Sequence, residues 1–234
     1  MLSFTTDRPV PVICTREYRL GVRPANAGKK YPAEIYTAAE IDRLMARLGR
    51  GHAGARNRAA VAMMHRCGLR IAEALALLPK DVDLDQAMVQ VLHGKFDQRR
   101  VLGIDQQTIA LLEIWLRHRQ ELGISRARPL FCVVSRPNYG KAMHASVLRE
   151  SIQAAAVKAG IEKRVHPHGL RHTFAVELKR EEVPVDEIMV ALGHNDLGTT
   201  QRYLNHLEPL HVVRMMQARG AHELTPPPSL RAAA

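Results

Sequence analysis

The chain has 234 residues, a hydrophobic content of 46% and a formal net charge of +11 at pH 7. This length allows one ordinary domain with appendages or two small domains, and the apolar content is sufficient for a hydrophobic core. The positive charge favours a polyanionic partner, because Lys and Arg displace condensed counterions from nucleic acid. Ribosomal proteins, nucleases and membrane-surface proteins share such a charge, so it selects no single function.

Cysteine usage and the absence of long apolar runs favour an intracellular protein. The cysteines are odd in number and form no C-x-x-C pair, which argues against a disulfide framework and against a cysteine zinc site. No apolar run approaches the roughly 20 residues that span a bilayer. The first residues lack the basic start and apolar stretch of a signal peptide. We therefore expect a cytoplasmic protein without a membrane partner.

The first ordered element is predicted to be a helix that begins after residue 37. Residues 1–30 contain several Pro and Gly without a sustained period and are predicted to form an extended basic arm. Thr37 and Glu40 form a T-x-x-E capping box, and Gly49 ends the apolar period that follows. Two more helices are predicted, over about residues 54–66 and from about Arg70 to just before Pro79.

The hydrophobic period then changes to that of strands. Two β-prone runs, "AMVQVLH" and "RRVLGI", flank "GKFDQ" and predict a hairpin. Helices are predicted again over about residues 105–121, 146–159, 169–181, 185–192, 199–206 and 208–219. Residues 221–234 are expected to be a disordered tail. The expected fold class is mainly α with a small antiparallel β-sheet (α+β).

Four short stretches collect side chains that are suited to phosphate chemistry. They are "CGLRIAEALAL", "HGKFDQRR", "HPHGLRH" and "LGHNDLGTTQRYL". In chain order they supply Arg70, Lys95, His168, Arg171, His194 and Tyr203.

This arrangement resembles the catalytic domain of the tyrosine recombinases, or phage-type integrases. That family has an Arg in a T-G-L-R-x-x-E-like stretch and a Lys in a β-hairpin turn. An H-x-L-R-H box, an L-G-H box and a Tyr in T-T-x-x-Y follow. All five elements occur in this order, and the resemblance covers about residues 31–220, which we interpret as the catalytic domain.

The resemblance implies DNA strand transfer through a covalent intermediate. Tyr203 would attack a DNA phosphate and form a 3′-phosphotyrosyl link. Arg70 and Arg171 would bind the non-bridging oxygens, since a guanidinium can bond a phosphate bidentately.

The remaining motif residues would transfer protons or orient the arginines. Lys95 would protonate the leaving 5′ oxygen, and His168 would accept the tyrosine proton. His194 would hydrogen-bond the phosphate, and Glu73, one turn after Arg70, would orient an arginine. The reaction requires no cofactor and no metal, because the phosphotyrosine stores the bond energy.

Each of these residues also has an ordinary structural interpretation. Arg70 and Lys95 could be surface residues of a helix end and a turn, and Tyr203 could be an amphipathic core residue. The histidines of "HPHGLRH" could bind a metal, but no carboxylate or thiol lies nearby in sequence to complete a site. His172 is interpreted as structural. Five motifs in register favour the functional interpretation over these coincidences.

The chain departs from the family pattern in three places, of which the run "VLGI" after the turn, where the family tends to have a Val-Pro-Leu type of run, is a minor one. Phe96 and Gln98 stand where the family turn usually has Gly and Lys, which weakens the assignment of Lys95. Only the arm precedes Tyr31, whereas relatives commonly carry a further DNA-clamping helical domain. We therefore expect a catalytic domain alone, and a fragment of a longer integrase remains an alternative.

The functional hypothesis is a site-specific recombinase or integrase that acts on double-stranded DNA. The copies are expected to associate on DNA as a dimer or tetramer, through residues 207–219. Two alternatives remain open at this point: a type IB topoisomerase, which reseals a cut strand without exchanging partners, and a DNA-binding module with idle chemistry.

Overall fold

The structure is a computed structural model that describes residues 34–92 and 99–193. In chain order the helices and strands are α1 (Ala38–Arg47), α2 (Gly51–Arg66), α3 (Ile71–Ala76), β1 (Val82–Asp83), β2 (Met88–Val91), β3 (Arg100–Gly103), α4 (Gln106–Glu121), α5 (Ala145–Lys158), α6 (Pro167–Arg180) and α7 (Val185–Leu192). The expected fold class, mainly helical with a small antiparallel sheet, is confirmed. The arm, the helices expected over 199–206 and 208–219 and the tail lie outside the described residues.

The sheet has three antiparallel strands in the order β1-β2-β3. The predicted hairpin is confirmed, with Val89 opposite Leu102 and Val91 opposite Arg100. These four residues form the buried face of β2 and β3. A charged residue therefore lies on the inner face of the sheet. Strand β1 was not predicted, because two residues are too few to show an alternating pattern.

Helix α2 is the centre of the core and is buried along most of its length. It packs against α4 and α6, while α1 packs against α5. It begins at Gly51, three residues before the predicted start. Gly51 and Gly54 weaken the helical signal in the sequence, but close packing compensates: a Cβ on Gly54 would lie 2.4 Å from the Gly49 carbonyl oxygen.

The chain before α1 is anchored to α6 by a buried tyrosine. The Tyr36 hydroxyl donates to the Arg164 carbonyl at 2.9 Å, and the Tyr36 amide donates to Thr173 Oγ1 at 3.0 Å. A Cβ on Gly169 would meet the Tyr36 hydroxyl, so only glycine allows this approach. The predicted capping box of Thr37 and Glu40 is present at the start of α1.

The described part of the chain contains no helix that is long and apolar enough to cross a membrane. Cys67 and Cys132 are free, buried thiols, and Cys14 lies outside the described residues.

Candidate functional site

A buried carboxylate, Glu73, lies at the centre of the candidate site. Its side chain is 2% exposed, and it occupies the first turn of α3. Glu73 Oε2 accepts from the backbone amide of Arg70 at 2.9 Å, which closes the start of this helix. Glu73 Oε1 accepts from Nη1 of Arg70 at 2.6 Å. The R-x-x-E spacing therefore lets one carboxylate hold both the backbone and the side chain of Arg70.

Two further arginines approach Glu73 from other elements. Arg100, on β3, places Nη2 at 2.7 Å from Oε2 and Nη1 at 3.3 Å from Oε1. Arg171, on α6, places Nη1 at 3.9 Å from Oε2. We call Glu73 with Arg70, Arg100 and Arg171 the arginine cluster. It joins α3, β3 and α6 through one carboxylate, and three positive charges against one negative charge leave it cationic.

The arginine cluster also holds the C-terminal end of α7. The three last carbonyls of this segment each accept from a different arginine. Arg100 Nε donates to Ala191 at 3.0 Å, Arg171 Nη2 donates to Leu192, and Arg70 Nη2 reaches Gly193 at 3.4 Å. The last carbonyls of a helix lack helical partners and carry partial negative charge. The guanidinium groups supply both the missing donors and the opposite charge.

Glu73 is held in its ionised form by this cluster. Burial alone would raise the pKa of Glu73, but the hydrogen bond from Arg100 and the positive charges of Arg100, Arg70 and Arg171 outweigh burial. The net effect lowers the pKa of Glu73 below its ordinary value. A buried carboxylate that stays ionised fixes the position of all three guanidinium groups.

The arginines differ sharply in access to solvent. The Arg70 side chain is 28% exposed, whereas that of Arg171 is 1% exposed. Nη1 of Arg171 donates to the Gly68 carbonyl, so both terminal nitrogens of Arg171 bond to backbone. A phosphate can contact Arg70 directly, but it can contact Arg171 only after the atoms that cover Arg171 move.

The turn before Arg70 depends on a glycine. Gly68 has a φ of +61°, and a Cβ there would lie 2.4 Å from the ring of Phe174 on α6. This positive φ favours glycine, and the close approach excludes larger residues. The turn brings the Gly68 carbonyl to Arg171 and places Arg70 at the start of α3.

Three histidines lie at the N-cap and along the first two turns of α6. His166 is the N-cap, and its Nδ1 accepts from the Gly169 amide at 3.1 Å. The ring of His168 lies 6.5 Å from the ring of His166 and 5.7 Å from that of His172, measured between centroids. His168 is exposed, whereas His172 is buried, in agreement with its structural interpretation.

His168 is neutral at physiological pH in this environment. Crowding by the surrounding protein, and then the positive charges of Arg171, His166 and Arg70, lower the pKa of His168 to about 4. The neutral ring offers an acceptor nitrogen to a proton donor, while the lowered pKa makes His168 a weaker base than an ordinary histidine.

The predicted site residues divide into two groups. Arg70, Glu73 and Arg171 meet in the arginine cluster, and His168 lies one helical turn before Arg171. Lys95, in the connection between β2 and β3, lies outside the described residues, as do His194 and Tyr203.

Sequence reasoning missed Arg100. This residue is 9% exposed and pairs with Glu73 from the inner face of the sheet. The sequence nevertheless indicates its position. Side chains alternate between the two faces of a strand, so residue 100 lies on the same inner face as the apolar Leu102. A charge at such a position needs a buried partner.

Comparison with known proteins gives a consistent match. The family model described as the phage integrase family matches residues 34–209. The tyrosine recombinase XerC of Xanthomonas axonopodis pv. citri is 32% identical over 197 residues, which cover 84% of this chain and 61% of that protein. XerC of Lactobacillus delbrueckii subsp. bulgaricus is 31% identical over 186 residues, which cover 79% of this chain and 62% of that protein. The chain thus spans about three fifths of the length of these relatives.

Solved structures match over a similar extent. XerA recombinase superposes with a TM-score of 0.68 at 29% identity, covering 86% of this chain and 70% of that one. The XerH site-specific recombinase, in its post-cleavage complex with a palindromic difH substrate, superposes with a TM-score of 0.66 at 26% identity. That match covers 83% of this chain and 55% of that one.

Proposed function

Because the chain belongs to the phage integrase family, we propose that it is a site-specific recombinase that cleaves and rejoins double-stranded DNA through a 3′-phosphotyrosyl intermediate. The observation that carries the proposal is the arginine cluster beside His168. Its positive charge suits a phosphodiester, on which negative charge develops during transfer. The exposed imidazole of His168 adds a proton acceptor next to that charge.

In this reaction Tyr203 is the nucleophile. Its phenolic oxygen forms a bond to phosphorus as the bond from phosphorus to the 5′ oxygen breaks. The phenol proton passes to His168, whose imidazole is neutral at pH 7 and can accept it through a ring nitrogen. Lys95 gives a proton to the departing 5′ oxygen, and rejoining reverses both transfers. His194 donates a hydrogen bond to the phosphate.

The arginines stabilise the charge that develops on the non-bridging oxygens. Arg70 is the guanidinium that reaches solvent, and Glu73 holds it by two hydrogen bonds. Arg171 joins it on the phosphate when the covering atoms move. The first turn of α6 contributes the positive end of a 14-residue helix, which also favours an anion.

We further propose that copies of the chain associate on DNA by exchanging residues 207–219. A groove of about 360 Å³ lies between α6, α7 and the start of α4. Its lining includes the apolar side chains of Leu102, Phe174 and Leu178 and the acidic side chains of Glu177, Glu181 and Glu187. Residues 207–219 carry apolar side chains together with Arg214 and Arg219, which complement such a groove.

The association has its own test, a gel-shift titration on one DNA half-site and on two abutting half-sites. Deletion of residues 207–234 should reduce cooperativity on paired sites more than affinity for a single site. Equal cooperativity with and without the deletion would show that another segment joins the copies.

Since the proposed substrate of the protein is DNA, we place the protein in the cytoplasm.

The covalent step is tested with a nicked suicide DNA that carries a site selected by the protein from a random library. The wild-type chain should form an adduct that resists SDS, and Tyr203→Phe should form none while binding DNA nearly as well. Tyr139→Phe is the matched control, because it also loses one phenol, and it should retain the adduct. An adduct with Tyr203→Phe would refute the assignment.

Resolution of a synthetic Holliday junction separates recombination from topoisomerase activity. A recombinase exchanges strands between duplexes, whereas a type IB topoisomerase reseals the strand it cut. We expect resolution by the wild-type chain. A chain that forms the adduct but leaves the junction intact would be a topoisomerase, and a chain that only binds DNA would be an idle module.

A further inference from the structure

Away from the arginine cluster, three potential metal ligands converge where α2 meets α4. His52 lies in the first turn of α2, and His118 and Glu121 lie in the last turn of α4. His118 Nδ1 is 3.0 Å from His52 Nδ1 and 3.1 Å from Glu121 Oε2. The three ligand atoms all lie within 4.8 Å of one another. Neither helix contributes a residue to the arginine cluster, so this group is independent of the proposed reaction.

Hydrogen bonding alone does not satisfy this geometry. A neutral imidazole carries one proton on one of its nitrogens, and an ionised carboxylate only accepts. If His118 Nδ1 donates to Glu121, the same proton must also serve His52. If His52 donates to His118, the lone pair of His118 Nδ1 faces the carboxylate at 3.1 Å. One of the two short contacts therefore lacks its own proton in every arrangement of neutral rings.

A divalent cation between the three atoms satisfies all the contacts together. Zinc binds imidazole nitrogen at about 2.0–2.1 Å and carboxylate oxygen at about 2.0–2.2 Å, so ligands of one tetrahedral zinc lie about 3.4 Å apart. The separations of 3.0 and 3.1 Å are close to this value. The Glu121 side chain is 61% exposed, and its rotation can close the widest gap.

The helices hold the three ligands in place. Two of the ligands belong to the last turn of α4, where the backbone carbonyls carry partial negative charge, and His52 belongs to the first turn of α2, where the amides carry partial positive charge. The backbone of the site is fixed, because α2 and α4 pack side by side in the core. His118 precedes Arg119, which is 3% exposed and donates to the Pro129 and Leu130 carbonyls. The end of α4 is thus held in place before any ion binds.

We propose that His52, His118 and Glu121 form a zinc site that joins the start of α2 to the end of α4, with water as the fourth ligand. The donor set of two imidazoles and one carboxylate matches zinc better than magnesium or calcium, which prefer oxygen alone. The ion links two helices of the core and stabilises the folded chain. It has no part in strand transfer.

The test uses the full chain after treatment with a chelator. Titration calorimetry should show one zinc ion bound per chain and no comparable binding of magnesium. Zinc at one hundred times its Kd should raise Tm by about 5–10 °C, since a ligand that binds only the folded state stabilises it. Cobalt should give the intense visible absorption of a four-coordinate ion.

Variants locate the site. His118→Ala and Glu121→Gln should each lower the zinc affinity at least tenfold and weaken the cobalt band. Glu121→Gln is the safer of the two for folding because its side chain is exposed. Glu113→Gln removes the same charge from an exposed position of the same helix and should bind zinc like the wild type. His168→Ala should also retain the site, which excludes binding by the histidines of α6.

Two results would overturn the proposal. The first is stoichiometric zinc binding that persists unchanged in both His118→Ala and Glu121→Gln, which would place the ion elsewhere. The second is the absence of binding by the wild-type chain at 100-fold molar excess of zinc. Circular dichroism of each variant without zinc shows whether it is folded, so a loss of structure cannot be mistaken for a loss of ligand.

Discussion

Replacement of Arg100 by methionine removes the arginine that joins the sheet to Glu73 and to α7. Methionine fills a similar space without a charge or a donor. The change deletes two hydrogen bonds to the Glu73 carboxylate, at 2.7 and 3.3 Å, and one to the Ala191 carbonyl at 3.0 Å. Since the Arg100 side chain is 6% exposed, water does not readily replace the lost donors.

The expected loss of folding stability depends on which ion-pair contacts Glu73 keeps in the Arg100→Met variant. Breaking one partner of a buried ion pair costs about 3–5 kcal/mol, because the other charge stays buried. Glu73 keeps its 2.6 Å contact with Arg70, so we expect the lower end, about 3 kcal/mol. For a domain of this size that corresponds to a fall in Tm of about 6–12 °C.

Urea unfolding at pH 7 measures the change in the free energy of unfolding, and a thermal melt measures the change in Tm. The matched control is Arg99→Met, which removes the same charge from the adjacent, exposed position and should change stability by no more than about 0.5 kcal/mol. If Arg100→Met is as stable as Arg99→Met, Arg100 does not support the cluster, and the reasoning from its contacts is wrong.

Other predictions concern the same site. Because the pKa of Glu73 is lowered in the folded state from its ordinary 4.5, its stabilising effect is present above that value and is lost as pH falls through the folded pKa. Acid titration of stability should therefore be shallower for Glu73→Gln than for the wild type, and equal slopes would contradict the ion pairs. Gly68→Ala should cost about 2–4 kcal/mol, from its positive φ and the contact with Phe174. Gly160→Ala, with a φ of +62° but open space around it, should cost about 1 kcal/mol by urea unfolding, and equal costs would discount the contact with Phe174. Arg70→Lys should slow cleavage of suicide DNA about 10²–10³-fold, because a point charge cannot replace the planar fork; near-normal cleavage would remove Arg70 from the reaction.

The elements with strong periodic patterns could be predicted from the sequence almost to the residue. Helix α7 has the predicted bounds, and α4 begins one residue later than predicted. The start of α2 was wrong by three residues, because Gly51 and Gly54 are weak helix formers that packing nevertheless keeps helical. The close approach of Gly54 to the Gly49 carbonyl is a three-dimensional contact, and it leaves no periodic apolar pattern in the sequence.

The candidate site was predictable only where a motif carries it. Arg70 and Arg171 belong to recognisable stretches, whereas Arg100 does not, since its importance lies in a contact with Glu73 across 27 positions. The burial of Arg171 against two backbone carbonyls was also not predictable. The motif suggested an arginine open to phosphate, and only the tertiary structure shows what covers it.

The central claim, that Tyr203 attacks DNA and leaves a 3′-phosphotyrosyl link, is tested most directly by mapping the adduct. The wild-type chain is trapped on suicide DNA labelled separately at each end, digested with trypsin and analysed by mass spectrometry. The chain has five tyrosines, so the modified peptide identifies the nucleophile. We expect a nucleotide on Tyr203 that is joined through the 3′ phosphate. A nucleotide on another residue, or a link through the 5′ phosphate, would contradict it.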